Sequence, residues 1–260
     1  MNIFTQFIKS LYSPKDIAKF RFQGIGKTIL YLFFLSFLSV LPSLILMNTE
    51  IVQGIKAGRE ILKTELPSFE IKDGTLKTSK DEPYTTEKGS FTFIMDDTGS
   101  IKTEDIEAKS ARTIALLEKE FVFTGGGNSQ SYPYSMAGGV TIDNDSAAST
   151  LQSVQKLSFI LLPVLSLVVY LSSSAVLFFE VTLIAVAGLL AARLLKRKLQ
   201  YRHLFRLTAY SITLITVFFT IMDSFMAYMY YRSALIWGVT LVILYLSIRE
   251  IPAPKQKTRA

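Results

Sequence analysis

Cysteine is absent from the sequence, so disulfide frameworks and thiolate metal sites are excluded. Histidine is almost absent as well, because His203 stands alone and no carboxylate cluster accompanies it to form a metal site. The glycine run at 125–127 lacks the following Lys-Ser/Thr of a phosphate-binding loop. No motif therefore predicts a metal site or a cofactor.

Charge is missing from long stretches of the chain. The segment 28–47, TILYLFFLSFLSVLPSLILM, has 20 residues without a charge, about the length that crosses ~30 Å of hydrocarbon. No A-x-A-like cleavage site follows it, so we expect a retained signal anchor that forms the first transmembrane helix. Segments 157–195 and 207–248 are also strongly apolar, whereas 48–156 has the composition of a soluble domain. The sequence predicts an α-helical polytopic membrane protein with one water-exposed insert.

The distribution of basic residues predicts the orientation of this protein. The net charge of +7 arises in the N-terminal segment 1–27, the link 193–206 and the tail 249–260, while the insert 48–156 has 12 basic and 17 acidic residues, a balance of −5. Enrichment of Lys and Arg in short loops marks the cytoplasmic side. We therefore expect a multi-pass protein of the cell membrane with a cytoplasmic N-terminus, link and tail, and with residues 48–156 extracytoplasmic. Because the basic residues flank apolar segments, their expected partner is the lipid bilayer and not nucleic acid.

Four or five transmembrane helices are compatible with the sequence. As a single helix, 157–195 would be about 58 Å long, nearly twice the hydrocarbon thickness. We expect it to bend at Pro163, at the serines 172–174 or at Glu180. A hairpin at the serines makes five spans and places the basic link 193–206 outside, whereas a single crossing makes four spans and obeys the positive-inside rule.

Ionisable residues within apolar segments are candidates for function, because each costs at least ~2.5–3.5 kcal/mol to insert. The helical membrane domain 157–248 contains three of them: Glu180, Asp223 and Arg232. The block 207–248 is predicted to form a hairpin of two spans that turns near 228–233, which would pair Asp223 with Arg232. Glu180 has no evident partner. It is interpreted as a helix break that faces water or headgroups, as an acceptor from neighbouring helices, or as a proton relay or cation site.

The N-terminal segment is predicted to contain an amphipathic helix. Apolar residues recur there at helical spacing, at Phe4, Phe7, Ile8 and Leu11. With basic residues nearby, this pattern is typical of a helix that lies on the inner leaflet. Its expected role is to anchor the first span, with docking of a partner protein as the alternative.

The insert 48–156 is predicted to be a small, mostly β domain on two helical stalks. Strands are indicated by FEIK before the turn Asp73-Gly74, by FTFIM at 91–95, and by RTIALLEKEFVF around a turn at Glu118-Lys119. GGGNSQSYPYS is predicted to be a loop. Its clustered aromatic residues, Tyr132 and Tyr134, are candidates for binding a sugar.

One stretch of the insert, Asp96-Asp97-Thr98-Gly99, is similar to the Asp-Thr-Gly signature of aspartic proteases. Such an enzyme needs two carboxylates that share a proton, so a dimer would have to supply the partner of Asp97. A strand followed by Asp-Asp-Thr-Gly is also an ordinary turn. The sequence favours the turn and leaves a dimeric protease as a remote alternative.

Three parts of the chain together resemble a known family: FIKSLYSPKDIAKFR before the first span, FEIKDGTL and FTFIMDDTG in the insert, and ARLLKRKLQYRHLFRLTAYS between late spans. They resemble an uncharacterised family of multi-pass membrane proteins from Gram-positive bacteria, catalogued as a domain of unknown function. One of its members is labelled a maltodextrin utilisation protein. Residues 160–250 are also similar to the Yip family of membrane proteins, which is associated with trafficking. These resemblances imply location and architecture, and they carry no catalytic residue.

The predicted function is therefore that of a non-enzymatic integral membrane protein. Its extracytoplasmic domain is expected to bind an envelope component or a partner protein, and its helices are expected to contact other membrane proteins. The alternative is a transporter or transport accessory, in line with the oligosaccharide label in the resembling family.

Overall fold

A computed structural model describes residues 2–107, 112–125, 128–225, 227 and 229–252. The chain divides into two compact units. The helical unit comprises Met1–Met47 and Pro163–Ala260, and the β unit comprises Asn48–Leu162. Tyr228, at the start of the predicted turn 228–233, and most of the basic tail lie outside the described residues.

Helices dominate the structure. In chain order they are α1 (Ile3–Tyr12), α2 (Pro14–Lys19), α3 (Ile25–Thr64), α4 (Thr103–Glu107), α5 (Asn144–Leu194), α6 (Tyr201–Ser211), α7 (Thr213–Ser224) and α8 (Arg232–Arg249). Among the described residues, four helical segments are long and apolar enough to cross a membrane: α3, α5, α6 with α7, and α8. The prediction of a helical membrane protein with a small sheet region is consistent with this architecture.

Helix α5 is continuous through Pro163, the serines and Glu180, so neither the turn allowed at the serines nor the helix break suggested at Glu180 is formed. The serines form hydrogen bonds without leaving the helix: Ser174 Oγ lies 2.8 Å from the carbonyl oxygen of Tyr170 and 2.9 Å from Ser36 Oγ of α3. The five-span arrangement with a turn at the serines is therefore not formed.

The predicted hairpin in the last apolar block is present. Helix α7 ends at Ser224 and α8 begins at Arg232. The connection carries Tyr230 and Tyr231, both largely exposed. The two helices contact each other along the helical unit.

The predicted N-terminal helix α1 is present and amphipathic. Its polar residues Gln6 and Ser10 are buried, while its apolar residues Phe4 and Ile8 are exposed. The polar face packs inward because α1 contacts α6 and α7, and the placement of the apolar face on the inner leaflet stays a prediction. The following helix α2 contacts α8 and buries Ile17 completely. Both helices are therefore parts of the helical unit.

The β unit contains two sheets. Its strands are β1 (Phe69–Lys72), β2 (Thr75–Thr78), β3 (Tyr84–Lys88), β4 (Phe91–Met95), β5 (Arg112–Leu116), β6 (Glu120–Gly125), β7 (Asn128–Pro133) and β8 (Ile142–Asp143). The strand orders are β2-β1-β8 and β3-β4-β5-β6-β7, and only the pair β4–β5 is parallel among the described strands. Between β1 and β2, Asp73 and Gly74 have φ angles of 51° and 77°, as the predicted hairpin turn requires.

One segment of the β unit was predicted as a loop and is a strand. Residues 128–133 form β7, which pairs with β6 from Gly125↔Asn128 to Glu120↔Pro133. Its composition, NSQSYP, has low intrinsic preference for strands, so the pairing with β6 decides its conformation. This makes β7 one edge of the five-stranded sheet and β3 the other.

Candidate functional site: charged side chains among the apolar helices

The ion pair predicted across the last hairpin is present in the helical unit. Arg232 donates two hydrogen bonds to Asp223, Nη1 to Oδ1 at 2.6 Å and Nη2 to Oδ2 at 2.9 Å. The Asp223 side chain is 15% exposed and that of Arg232 is 45% exposed. The guanidinium also lies 4.6 Å from the ring centre of the buried Phe219, a cation–π geometry.

Helix dipoles do not explain this pair. Asp223 lies in the last turn of α7 and Arg232 is the first residue of α8. Each charge is thus at the helix end where the macrodipole disfavours it, typically by ~0.3–1 kcal/mol. The bidentate contact between the two side chains offsets that cost, since planar Arg–carboxylate pairs are among the strongest hydrogen-bonded arrangements.

Glu180 belongs to the same group of charges. It is partly buried on α5, and the charge of Arg232 acts on its carboxylate. No hydrogen bond to Glu180 is formed by the described part of the chain. The structure therefore joins Asp223 to Arg232, whereas Glu180 feels the charge of Arg232 without forming an ion pair with it. We refer to Glu180, Asp223 and Arg232 as the charged triad, and its net charge is −1 when all three are ionised.

A second polar cluster in the helical unit was missed by the sequence analysis. Tyr31 Oη lies 2.5 Å from Thr213 Oγ1, and Tyr210 Oη donates to Gln6 Oε1 at 3.2 Å. The two tyrosine rings are 4.4 Å apart, and all four residues are at most 2% exposed. The sequence offered one signal, namely polar hydroxyl and amide side chains within helical segments. That signal does not show which of these side chains contact each other, because the contacts depend on how the helices pack.

The two tyrosines proposed as binding aromatics of the β unit have different environments. Tyr132 is 51% exposed, but Tyr134 is only 7% exposed, so they do not form one exposed aromatic pair. Tyr134 follows the end of β7, where its N–H donates to the Lys119 carbonyl and its ring packs with Phe69. Burial, reinforced by the charge of Glu120, raises the pKa of the Tyr134 hydroxyl.

Tyr132 has other aromatic neighbours that the sequence analysis did not select. Its ring centre lies 6.4 Å from that of Phe121 on β6. Phe123, two residues further along β6, is 38% exposed. Alternation along β6 places Phe121 and Phe123 on one face, so an aromatic surface on β6 and β7 replaces the predicted pair of tyrosines.

The Asp-Asp-Thr-Gly stretch forms the predicted turn. The Asp96 carboxylate accepts hydrogen bonds from the N–H groups of Thr98 at 2.9 Å and Ile101 at 2.6 Å, and from the hydroxyls of Thr98 and Ser100. Burial favours a higher pKa for Asp96, but these four hydrogen bonds outweigh it and the pKa is lowered. Asp97, the residue that matches the protease signature, accepts one hydrogen bond from the Thr78 N–H at 2.8 Å.

These contacts predict different effects for two adjacent substitutions. Asp96→Asn replaces one carboxylate oxygen by an NH2 group that faces existing donors, so we expect the β unit to lose about 1–3 kcal/mol of stability near pH 7. Asp97→Asn is the matched control, since one amide oxygen still accepts from Thr78. The measurement is hydrogen–deuterium exchange of the peptide 91–101 in the full-length protein.

The effect of Asp96 should depend on pH. Because its folded-state pKa is below the unfolded value of about 3.9, its contribution is complete above that value and is lost as the pH falls through the folded pKa. The difference between wild type and Asp96→Asn should therefore shrink in acid. Equal hydrogen–deuterium exchange of the peptide 91–101 in Asp96→Asn and Asp97→Asn at neutral pH would contradict the assigned role of Asp96.

Comparison with known proteins gives one match. A family model described as a protein of unknown function (DUF1189) matches residues 4–248. No curated protein and no solved structure matches the chain. The match confirms the predicted relation to an uncharacterised family, and it includes most of α1, most of α8 and the whole β unit. Because it covers nearly the entire chain, the protein belongs to the DUF1189 family of proteins of unknown function.

Proposed function

We propose that the protein is a non-enzymatic integral membrane protein that holds the β unit on the outer side of the cell membrane, where this unit binds an envelope component or a partner protein. The observation that carries the proposal is a separately packed unit of two sheets inserted between two helices that are long and apolar enough to span a bilayer. Such an arrangement is typical of a membrane-anchored binding module.

The charge distribution supports the proposed orientation. With four spans, the basic segment 1–27, the link 193–206 and the tail all lie on one side, as the positive-inside rule expects. The continuous α5 supports four spans over the five-span alternative that placed the link outside. The β unit, with its acidic balance, then lies on the opposite side.

The sheet edges of the β unit support a binding role. Within the described ranges, no strand pairs with the outer side of β3, so its backbone donors and acceptors are available to a partner. Thr85 and Glu87 on this strand are exposed. A charged residue on an edge strand discourages pairing between copies of the same sheet, which suits a surface reserved for a different partner.

Photo-crosslinking in cells tests the proposal. A photoreactive amino acid replaces Thr85 or Lys77 in the β unit, and Val164 or Leu171 of α5 serves as the control, since both are exposed on an apolar helix. At native expression we expect a discrete adduct from the β-unit positions that the α5 positions do not give. Identical products from both sets of positions, or no product from the β unit, would overturn the binding role.

A role in transport is the second candidate, and the charged triad favours it. Asp223 is paired with Arg232 while the carboxyl of Glu180 has no ion-pair partner among the described residues, and an ionisable group of this kind among apolar helices is a feature of proton and cation pathways. The oligosaccharide label in the resembling family makes sugar uptake the first phenotype to measure. Loss of uptake in Glu180→Gln at unchanged membrane abundance would favour this candidate, and normal uptake would remove it.

A further inference from the structure

The N-terminal region packs against α6 through a short 3₁₀ helix, Phe20–Phe22, that directly follows α2. The ring of Phe20 is buried, and its centre lies 4.6 Å from that of Tyr210 on α6. Arg206 of α6 donates a hydrogen bond from Nη1 to the carbonyl oxygen of Arg21 at 2.9 Å. An aromatic contact and a hydrogen bond thus hold the backbone of Arg21 beside α6.

A second arginine of α6 and the only histidine of the chain complete a basic group at this contact. Arg202 precedes Arg206 by one helical turn, so both lie on one face of α6, and Arg202 is exposed. His203 follows directly, and the charges of Arg202, Arg206 and Arg21 act on its imidazole. We refer to these four residues as the arginine cluster. Its three guanidinium groups give it a charge of +3 when the histidine is neutral.

No carboxylate forms an ion pair with the arginine cluster in the part of the chain that the structure describes. The helical unit contains only four acidic residues: Asp16, Glu180, Asp223 and Glu250. Asp16 pairs with Lys9 and Lys19, and Asp223 pairs with Arg232. The positive charge of the cluster is therefore left for an anion from outside the protein.

The donor groups of the cluster are also incompletely used. Nε of Arg206 is buried and has no hydrogen-bond partner among the described residues, which is rare for a buried donor. Nδ1 of His203 accepts the Gln200 N–H at 3.3 Å, so the neutral ring carries its proton on Nε2 and offers a further donor. Burial lowers the pKa of Arg21, because its guanidinium is partly desolvated without a counter-charge. A bound anion would offset this cost.

Phosphate is the anion that matches this set of donors. Planar guanidinium groups bind phosphate oxygens through paired N–H groups, and several oxygens of one phosphate can accept from different arginines. The neighbouring side chains favour a phosphate that is attached to a lipid. Phe22 is 74% exposed beside the guanidinium of Arg21, which lies 4.1 Å from its ring centre, and Tyr201 is 40% exposed next to Arg202. Exposed rings beside cations suit a ligand that is charged at one end and apolar at the other.

We propose that the arginine cluster binds the phosphate group of one anionic phospholipid, with Phe22 and Tyr201 beside the apolar part of that lipid. This differs from the general attraction of basic segments to a bilayer, because it requires a saturable site and particular arginines. The inference goes beyond the proposed function, since it concerns the helical unit and uses no property of the β unit.

Native mass spectrometry of the full-length protein in detergent micelles tests this site. Dioleoyl phosphatidic acid is titrated into the micelles, and dioleoyl phosphatidylcholine, which has the same acyl chains and no net charge, is the reference lipid. We expect one saturable adduct with phosphatidic acid and much weaker binding of phosphatidylcholine. Arg202→Gln should weaken the phosphatidic acid adduct by about tenfold or more, because hydrogen bonds between charged groups are strong.

A matched variant separates the site from charge alone. Lys198→Gln removes the same charge from an exposed position just before α6, and the charge of Lys198 is not among those that act on His203, so this variant should bind phosphatidic acid like the wild type. Arg202 forms no hydrogen bond within the described ranges, so Arg202→Gln tests binding without disturbing the packing that Arg206 supports.

Two results would overturn the proposal. Equal binding of phosphatidic acid by Arg202→Gln and Lys198→Gln would show that the arginine cluster is not a specific site. Displacement of phosphatidic acid by an equal concentration of inorganic phosphate would assign a soluble phosphate compound in place of the lipid. Either result leaves the proposed role of the β unit intact.

Discussion

Single cysteines introduced at Lys77, Tyr230 and Lys198 are expected to fall into two classes. With four spans and a cytoplasmic N-terminus, Lys77 of the β unit and Tyr230 of the α7–α8 connection lie outside, and Lys198 lies inside. All three side chains are exposed, so access to the reagent decides the result. A membrane-impermeant maleimide on intact, wall-stripped cells should label Lys77→Cys and Tyr230→Cys, and it should label Lys198→Cys only after permeabilisation.

The native chain provides the control for this experiment because it has no cysteine to react. Labelling of Lys198→Cys in intact cells would show that the positive-inside assignment fails at this link. Protection of Lys77→Cys would invert the whole orientation, and the proposed outer binding role would fall with it. The result is nearly all-or-none, since an impermeant reagent either reaches the thiol or does not.

Loss of the only guanidinium in the charged triad is expected to destabilise the helical unit. Arg232→Gln leaves Asp223 without its ion-pair partner and removes the positive charge that acts on Glu180. Breaking a buried pair costs ~3–5 kcal/mol, and the partial exposure of Arg232 reduces this to an expected loss of about 2 kcal/mol. The measurement is reversible unfolding in mixed micelles, followed by helical circular dichroism.

Two further variants show whether the loss arises from the charges. Arg202→Gln, at an exposed position at the start of α6, removes a positive charge away from the triad and should have little effect. Adding Glu180→Gln and Asp223→Asn to Arg232→Gln should restore most of the lost stability, because no unpaired charge remains. If Arg232→Gln behaved like Arg202→Gln, the triad would have no structural role.

Features of the fold that depend on local sequence were predictable. Apolar runs of sufficient length predicted the long helices, and Asp73-Gly74 predicted a hairpin because both positions need positive φ. The pairing of Asp223 with Arg232 was also accessible, since the two residues are nine positions apart across one turn.

Features that depend on distant partners were not predictable. Glu180 approaches Arg232 from a different helix, and no spacing in the sequence signals that approach. β7 is a strand because β6 pairs with it, although its own residues favour a loop. Tyr132 and Tyr134 are two residues apart, so a continuous strand would place both on one face of the sheet. The strand ends at Pro133, however, and only the ring of Tyr134 is buried.

The packing of α1 and α2 has a consequence for how the chain is made. Tyr210 receives its hydrogen-bond partner Gln6 from a position 204 residues earlier, and α2 contacts α8, the last helix. Because α1 and α2 are synthesised before α6 and α8, they wait for those helices before their binding surface exists. Closure of such a long loop is slow compared with local helix formation. We therefore expect α1 and α2 to dock only after α8 has been inserted, and a bulky group attached beside α1 would obstruct this step.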